Sequence, residues 1–178
     1  MADIEHVIVT RRIYEGRILN LRVDTAQFPD GRTTTREVVE HSPSVVLVPL
    51  DDHGNVLLVR QYRLAVGHTL LELPAGGLNG QETPEVAADR ELREETGYAA
   101  AHLERLGGYF ASPGYCSEYL HLFLATGLHE APLDADHDES IDVVRAPLRE
   151  AVSLIERGEV QDAKSVAGLL WVLHRLGR

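Results

Sequence analysis

The chain has 178 residues and carries 28 acidic against 17 basic side chains, which gives a formal net charge of −11 at pH 7. Its 44% hydrophobic and 25% charged content is that of a globular domain with a real core, and it excludes a disordered, fibrous or membrane-spanning chain. The negative charge argues against nucleic acid or an anionic membrane as a partner, because both would repel it. One cysteine and no apolar leader segment lead us to expect a cytoplasmic protein.

The predicted elements interleave strands with three helices. Alternating and β-branched segments predict strands at residues 7–12, 17–23 and 33–40, and His41-Ser42-Pro43 then breaks the pattern. Further strands are predicted at 45–50, 56–60, 70–73, 106–110, 121–125 and 141–145, with a glycine-rich loop at 74–81. Helices are predicted after the capping residue Thr83 as far as Gly97, over 147–157, and from Asp162 to 176. This order indicates an α/β (α+β) fold with a mixed sheet.

The negative charge is concentrated in two short stretches. Residues 76–98 hold six acids and two arginines, and residues 130–142 hold six acids with no lysine or arginine. The rest of the chain is nearly neutral. A divalent cation is the first candidate for the ligand of such concentrated carboxylates, although a solvated charged surface is the common alternative.

Three glutamates occupy one side of the first predicted helix. Glu91 and Glu95 are four residues apart, and Glu94 is three residues from Glu91, so we expect them to share a face. Arg90 can pair with Glu94 at the i,i+4 spacing. For packing on the opposite face the sequence offers Val86, Ala88 and Leu92. A hard cation such as Mg²⁺ prefers oxygen ligands of this kind and bridges carboxylates to substrate phosphates.

The whole string around these glutamates is more specific than the glutamates alone. Gly76, five residues, Glu82, seven residues and then the nine residues 90–98 (RELREETGY) resemble the Nudix box at every defining position. The resemblance implies a Nudix-type α/β/α sandwich over residues 44–178, preceded by a small N-terminal β region over residues 1–43. It also implies hydrolysis of a nucleoside diphosphate linked to another group, with Mg²⁺ or possibly Mn²⁺ as cofactor.

The resemblance assigns roles to residues of the box by position. Glu91 and Glu95 would be metal ligands, Glu94 and the backbone carbonyl of Ala75 would contribute, and Glu82 would support the metal or its waters. Arg90 would hold the glutamates by ion pairing. The physical chemistry agrees, since a cation inverts the local field and lets an anionic diphosphate enter an acidic site.

Segments outside the box are similar to the ADP-ribose pyrophosphatase branch of this family. They are residues 16–19, 36–41, 59–63, 71–76 and 112–118, and Pro113 lies fifteen residues after Tyr98, near the distance that distinguishes the branch. The branch implies a homodimer in which the N-terminal strands contribute to the partner's site. Its substrate-contacting positions fall into two groups here. Near the adenine or the diphosphate they would be Ile18, Glu37 and Arg63. Near the phosphates and terminal ribose they would be Gly114, Tyr115 and Glu118.

The second acidic stretch precedes the strand predicted at 141–145. Related enzymes carry an acidic loop there, in which a glutamate acts as the general base on the attacking water, and Glu139 matches it best. Glu94 is the competing candidate for the base. A solvated surface loop is the alternative reading of the whole stretch.

The sequence therefore predicts a Mg²⁺-dependent hydrolase that converts ADP-ribose to AMP and ribose 5-phosphate. One alternative is a hydrolase of another nucleoside diphosphate sugar, such as a GDP- or UDP-hexose. A different class is a non-catalytic sensor that binds such ligands, although the box is intact here.

Overall fold

The computed structural model describes residues 4–134 and 140–177. The strands, in chain order, are β1 (His6–Glu15), β2 (Leu19–Gln27), β3 (Thr33–His41), β4 (Ser44–Pro49), β5 (Asn55–Arg63), β6 (His68–Glu72), β7 (Ala75–Gly77), β8 (Tyr98–Phe110), β9 (Tyr119–Glu130) and β10 (Ile141–Pro147). The helices are α1 (Pro84–Thr96), α2 (Ala151–Glu156, after a 3-10 turn at Leu148–Glu150) and α3 (Ala163–Arg175). The chain divides into two compact units, one ending at Pro43 and including Phe110–Tyr119, the other formed by Ser44–Tyr109 and the chain from Leu120 onwards.

The first unit is an antiparallel sheet with the strand order β1-β2-β3. The loop between β2 and β3 closes through Gly31, whose φ of +89° suits glycine and whose N–H donates to the carbonyl of Phe28. The segment Phe110–Tyr119 joins this sheet, because the Val39 N–H donates to Tyr115 O at 2.7 Å and the Ser117 N–H donates to Val39 O at 3.0 Å. All ten residues of β1 are exposed.

The second unit contains a mixed sheet with the order β7-β4-β9-β8 and a second sheet with the order β10-β5-β6. Strand β4 runs parallel to β9 and antiparallel to β7. Its side chains alternate between two helices: Val45 and Leu47 pack in one cluster with Leu92 of α1, whereas Val48 packs beside Gly168 of α3. Both faces of β4 are therefore covered, which explains why its sequence is continuously apolar. The α/β/α sandwich predicted from the sequence is confirmed.

The predicted elements are present, with differences in extent. The segment 74–81, predicted to be only a loop, contains the short strand β7, which pairs with β4. Strands β8 and β9 extend well beyond 106–110 and 121–125. Val86 was predicted to pack but is 55% exposed, and Ala87 is buried in its place, because the buried stripe of α1 is turned toward Glu91 and Glu95. Among the described residues, no helix is long and apolar enough to cross a membrane.

Candidate active site

Helix α1 begins and ends where its sequence predicts. The Thr83 side chain accepts from the N–H of Val86, Pro84 occupies the first turn, and Gly97 closes the helix with a φ of +78°. The Gly97 N–H donates to the carbonyl of Arg93. This closure is available to glycine without strain, so the caps fix the helix register and with it the directions of the glutamates.

Glu91 and Glu95 belong to the buried stripe of α1 rather than to its solvent face. They are 9% and 6% exposed, and they lie in the same stripe as Ala88 and Leu92. Buried carboxylates require partners, because an unpaired charge away from water is costly. Since Ala88 and Leu92, two of the three predicted packing residues, share this stripe, the expectation that the glutamates would oppose the packing face is wrong for Glu91 and Glu95.

Arg90 gathers three carboxylates around one guanidinium group. Its Nε and Nη2 donate to the two oxygens of Glu82, both at 2.9 Å. Its Nη1 donates to Glu91 Oε1 at 2.7 Å and to Glu94 Oε2 at 2.8 Å. The hydrogen bonds from Arg90 hold the pKa of Glu82 below its ordinary value, although burial opposes this. The predicted i,i+4 pair between Arg90 and Glu94 is present. Arg90 also pairs with Glu82 and Glu91, so it holds glutamates by ion pairing as the resemblance implied.

The glycine loop before the helix approaches the glutamates through its backbone. The Ala75 N–H donates to Glu95 Oε2 at 3.1 Å, and Gly77 O accepts from Arg90 at 2.9 Å. A Cβ atom on Gly76 would lie only 2.1 Å from the carboxyl carbon of Glu91. Only glycine therefore fits at position 76 without displacing Glu91.

A buried ion network lies directly before this loop in the chain. Glu72, on β6, is 1% exposed, and its two oxygens accept from Nε and Nη2 of Arg63, both at 2.9 Å. Lys164 of α3 also donates to Glu72 and, at 2.8 Å, to Asp162. Burial opposes ionisation of Glu72, but Arg63 and Lys164 outweigh it and hold the pKa of Glu72 below its ordinary value. Of these four residues only Arg63 was predicted as a site residue. A lone acid inside the apolar run 70–73 signals that some cation must pair with it.

The first unit contains a cavity of about 450 Å³. Three of the predicted substrate residues line it, namely Glu37, Gly114 and Tyr115. Ile18, 62% exposed, lines a different cavity in the same unit. Glu118 lies 3.6 Å from the ring of His41. The structure thus brings together Glu37, Gly114 and Tyr115.

Two family models match consecutive parts of the chain. The NUDIX domain model matches residues 40–169, and the model of the nucleoside diphosphate sugar hydrolase N-terminal domain matches residues 5–39. The chain belongs to the Nudix family. An ADP-ribose pyrophosphatase of Bacillus subtilis (strain 168) is 36% identical to it, covering 94% of this chain and 92% of its own.

A second curated relative and a solved structure also match more than nine tenths of this Nudix chain. An ADP-ribose pyrophosphatase of Mycobacterium tuberculosis (strain ATCC 25618 / H37Rv) is 40% identical, covering 93% of this chain and 81% of its own. A crystal structure described as an ADP compounds hydrolase superposes with a TM-score of 0.89 at 25% identity, covering 97% of this chain and 94% of that one.

Nudix hydrolases generally use divalent metal ions. The carboxylate oxygens around Arg90 and the close approach of Gly76 to Glu91 fit a hard cation in their chemistry. In the described part of the chain, however, no three His, Cys, Asp or Glu side chains are arranged so that they could hold an ion. Arg90 instead neutralises Glu91 and Glu94, so a metal bound there has to compete with its guanidinium. Glu139, the predicted base, lies outside the described residues.

Proposed function

We propose that this protein hydrolyses the diphosphate of ADP-ribose to AMP and ribose 5-phosphate in a Mg²⁺-dependent reaction. The observation that carries the proposal is the cluster of Glu82, Glu91 and Glu94 on one arginine, beside a glycine loop whose backbone contacts Glu95. The names of the two curated relatives, which are similar over more than nine tenths of this chain, support ADP-ribose as the substrate.

In this proposal Glu91 and Glu95 hold the cation, with Glu94, Glu82 and the carbonyl of Ala75 contributing. When bound, the cation neutralises phosphate charge and lowers the pKa of a water. Side chains of the protein transfer the proton and bind the phosphates.

Proton transfer and phosphate binding are assigned to different side chains. Glu139, or Glu94 in its place, takes a proton from the attacking water. Water adds to one phosphorus, the bridging P–O bond breaks, and the leaving phosphate takes the bridging oxygen. Arg63 offsets the charge of the diphosphate, because a guanidinium donates two parallel hydrogen bonds to phosphate oxygens.

The cavity of the first unit is proposed to take part in binding the nucleoside diphosphate sugar. It is lined by Phe110 and Tyr115, which offer aromatic surface, and by Arg36 and Glu37, which offer polar groups. Gly114 leaves open space in its wall, since a Cβ atom there would meet no atom within 4 Å. Ile18 and Glu118 are proposed to add contacts to the substrate from neighbouring parts of the same unit.

A homodimer is proposed as the working form, with residues 1–43 as the dimerisation region and residues 44–178 as the Nudix hydrolase domain. Strand β1 pairs with β2 on one side and carries exposed apolar residues, of which Val7, Val9 and Ile13 are 54%, 57% and 46% exposed. An apolar edge strand of this kind is suited to burial against another chain. Light scattering tests it, because Val9→Lys should shift a dimer toward the monomer mass, whereas a wild-type monomer contradicts the proposal.

A cytoplasmic location is proposed from the single cysteine.

A substrate panel with Mg²⁺ and analysis of the products tests the function. ADP-ribose should be turned over with a higher kcat/KM than GDP-mannose or UDP-glucose, and it should give AMP and ribose 5-phosphate. A nucleoside diphosphate hexose that ranks far above ADP-ribose would replace the substrate. Tight binding of ADP-ribose without turnover of any compound would favour a sensor.

A further inference from the structure

Arg63 and Glu72 form an ion pair although they do not lie opposite each other in the paired strands β5 and β6. In the register of β5 with β6, Glu72 lies opposite Val59, and Arg63 lies opposite His68. Arg63 is therefore four residues along β5 from the position opposite Glu72, a distance of about 13 Å at roughly 3.3 Å per residue. Arg63 and Val59 share a face of the strand, since side chains alternate. The Arg63 side chain must run back along the sheet to reach Glu72.

This direction brings the guanidinium toward the glycine loop. Glu72 is the last residue of β6, and Ala75, whose N–H contacts Glu95, follows three residues later. Three residues span at most about 10 Å of chain. A guanidinium held 2.9 Å from the Glu72 carboxylate therefore lies within reach of a diphosphate at that loop. The Arg63 side chain is 36% exposed, whereas that of Glu72 is 2% exposed. The buried carboxylate therefore anchors a guanidinium group whose exposed part a ligand can contact.

Glu72 is itself fixed from the opposite side by α3. Lys164, the single lysine of the sequence, donates to Glu72 and to Asp162, the N-cap residue of α3. The next residue, Ser165, accepts from the N–H of Leu73 at 2.7 Å and is fully buried. Two successive residues of α3 thus hold two successive residues at the end of β6. Signs alternate along the chain of charges from Asp162 through Lys164 and Glu72 to Arg63.

We propose that Glu72 is a positioning residue, which holds the Arg63 guanidinium at the glycine loop to receive the diphosphate of the substrate. The inference rests on the proposed function for the identity of the ligand. It predicts that Glu72 acts on substrate recognition through Arg63 alone. Without Glu72 the arginine would lose the two hydrogen bonds that direct its guanidinium along the sheet toward the loop.

A double-mutant cycle tests this dependence. Wild type, Arg63→Ala, Glu72→Gln and the double variant are compared by kcat/KM for ADP-ribose with saturating Mg²⁺. Each single variant should lose at least about tenfold, because charge-assisted hydrogen bonds to the diphosphate are lost or misdirected. The double variant should equal Arg63→Ala within about twofold, since Glu72 has nothing left to position. The control is Glu104→Gln, which breaks the exposed pair of Glu104 with Arg175 and should retain the wild-type value.

Several outcomes overturn the inference. Losses that multiply in the double variant would show that Glu72 acts independently of Arg63, and an unchanged kcat/KM in Glu72→Gln would show that it positions nothing. If Glu72→Gln does not fold, Glu72→Asp replaces it, because it keeps the charge but shortens the side chain, and the same criteria apply. If the wild type does not hydrolyse ADP-ribose, the proposed function fails. The four proteins of the double-mutant cycle are then compared by their dissociation constants for ADP-ribose. Equal affinity of wild type and Glu72→Gln, or no binding by the wild type, then overturns the inference too.

Discussion

The contact between Gly76 and Glu91 predicts that a single added methyl group, in Gly76→Ala, strongly reduces the rate of hydrolysis. In Gly76→Ala the added Cβ would lie 2.1 Å from the Glu91 carboxyl carbon, where carbon atoms in contact are normally about 3.5 Å apart. The carboxylate must therefore move by more than about 1 Å, away from its 2.7 Å hydrogen bond with Arg90. A displacement of this size in a catalytic arrangement costs about 10²-fold in rate.

The neighbouring glycine provides a matched control. A Cβ atom on Gly77 would meet nothing within 4 Å, and the carbonyl that Arg90 contacts is retained in Gly77→Ala. The steady-state kcat for ADP-ribose hydrolysis should fall about 10²-fold in Gly76→Ala and only slightly in Gly77→Ala. Both variants should melt within a few degrees of wild type, because the clash is relieved by one side chain rather than by the core. Equal activity of the two variants would refute the reasoning.

Three further predictions concern the fold and the proposed base. Ser165→Ala removes the acceptor of the buried Leu73 N–H and should lower the free energy of unfolding by about 1–3 kcal/mol in urea titrations; an unchanged midpoint would contradict this. Hydrogen bonds from Arg22 to Asp24 and from Arg12 to Glu40 hold the pKa of each carboxyl below its ordinary value. Their stabilisation is therefore complete above the unfolded-state pKa values near 4 and is lost as the pH falls through the folded values. The protection factors of the amides in β1 and β2, which correct for the intrinsic pH dependence of exchange, should therefore decrease on acidification below about pH 4; constant protection factors would exclude this role. Glu139→Gln should lower kcat by about 10²–10⁴-fold while leaving the Mg²⁺ dependence intact, and a near-wild-type kcat would shift the role of base to Glu94.

Local signals in the sequence predicted helix α1 well. Thr83, Pro84 and Gly97 act as caps by contacts within a few residues, and the pair of Arg90 with Glu94 follows from helical spacing alone. Alternating and apolar segments likewise located every strand that was predicted, because burial on one or both faces imposes those patterns.

Features that depend on distant parts of the chain were not predicted. Strand β7 has the sequence Ala-Gly-Gly, which has no strand preference, and it forms because β4 offers backbone partners. Val86 is exposed because the helix directs Glu91 toward the loop. The pattern of apolar residues in the sequence does not show this orientation of the helix. Lys164 and Glu72 are 92 residues apart, so the sequence shows that Glu72 needs a cation but not which one.

The most direct test of the account is the rate of ADP-ribose hydrolysis as a function of Mg²⁺ concentration, in wild type and in Glu95→Gln. We expect the wild type to release AMP and ribose 5-phosphate, to require the cation and to stop when a chelator is added. Glu95→Gln should be at least about 10²-fold slower at the same Mg²⁺ concentration, because one of the two central carboxylates of the proposed metal site is lost. Full activity in the chelator, or a wild-type rate in Glu95→Gln, would contradict the assignment of α1 as the metal-binding catalytic helix.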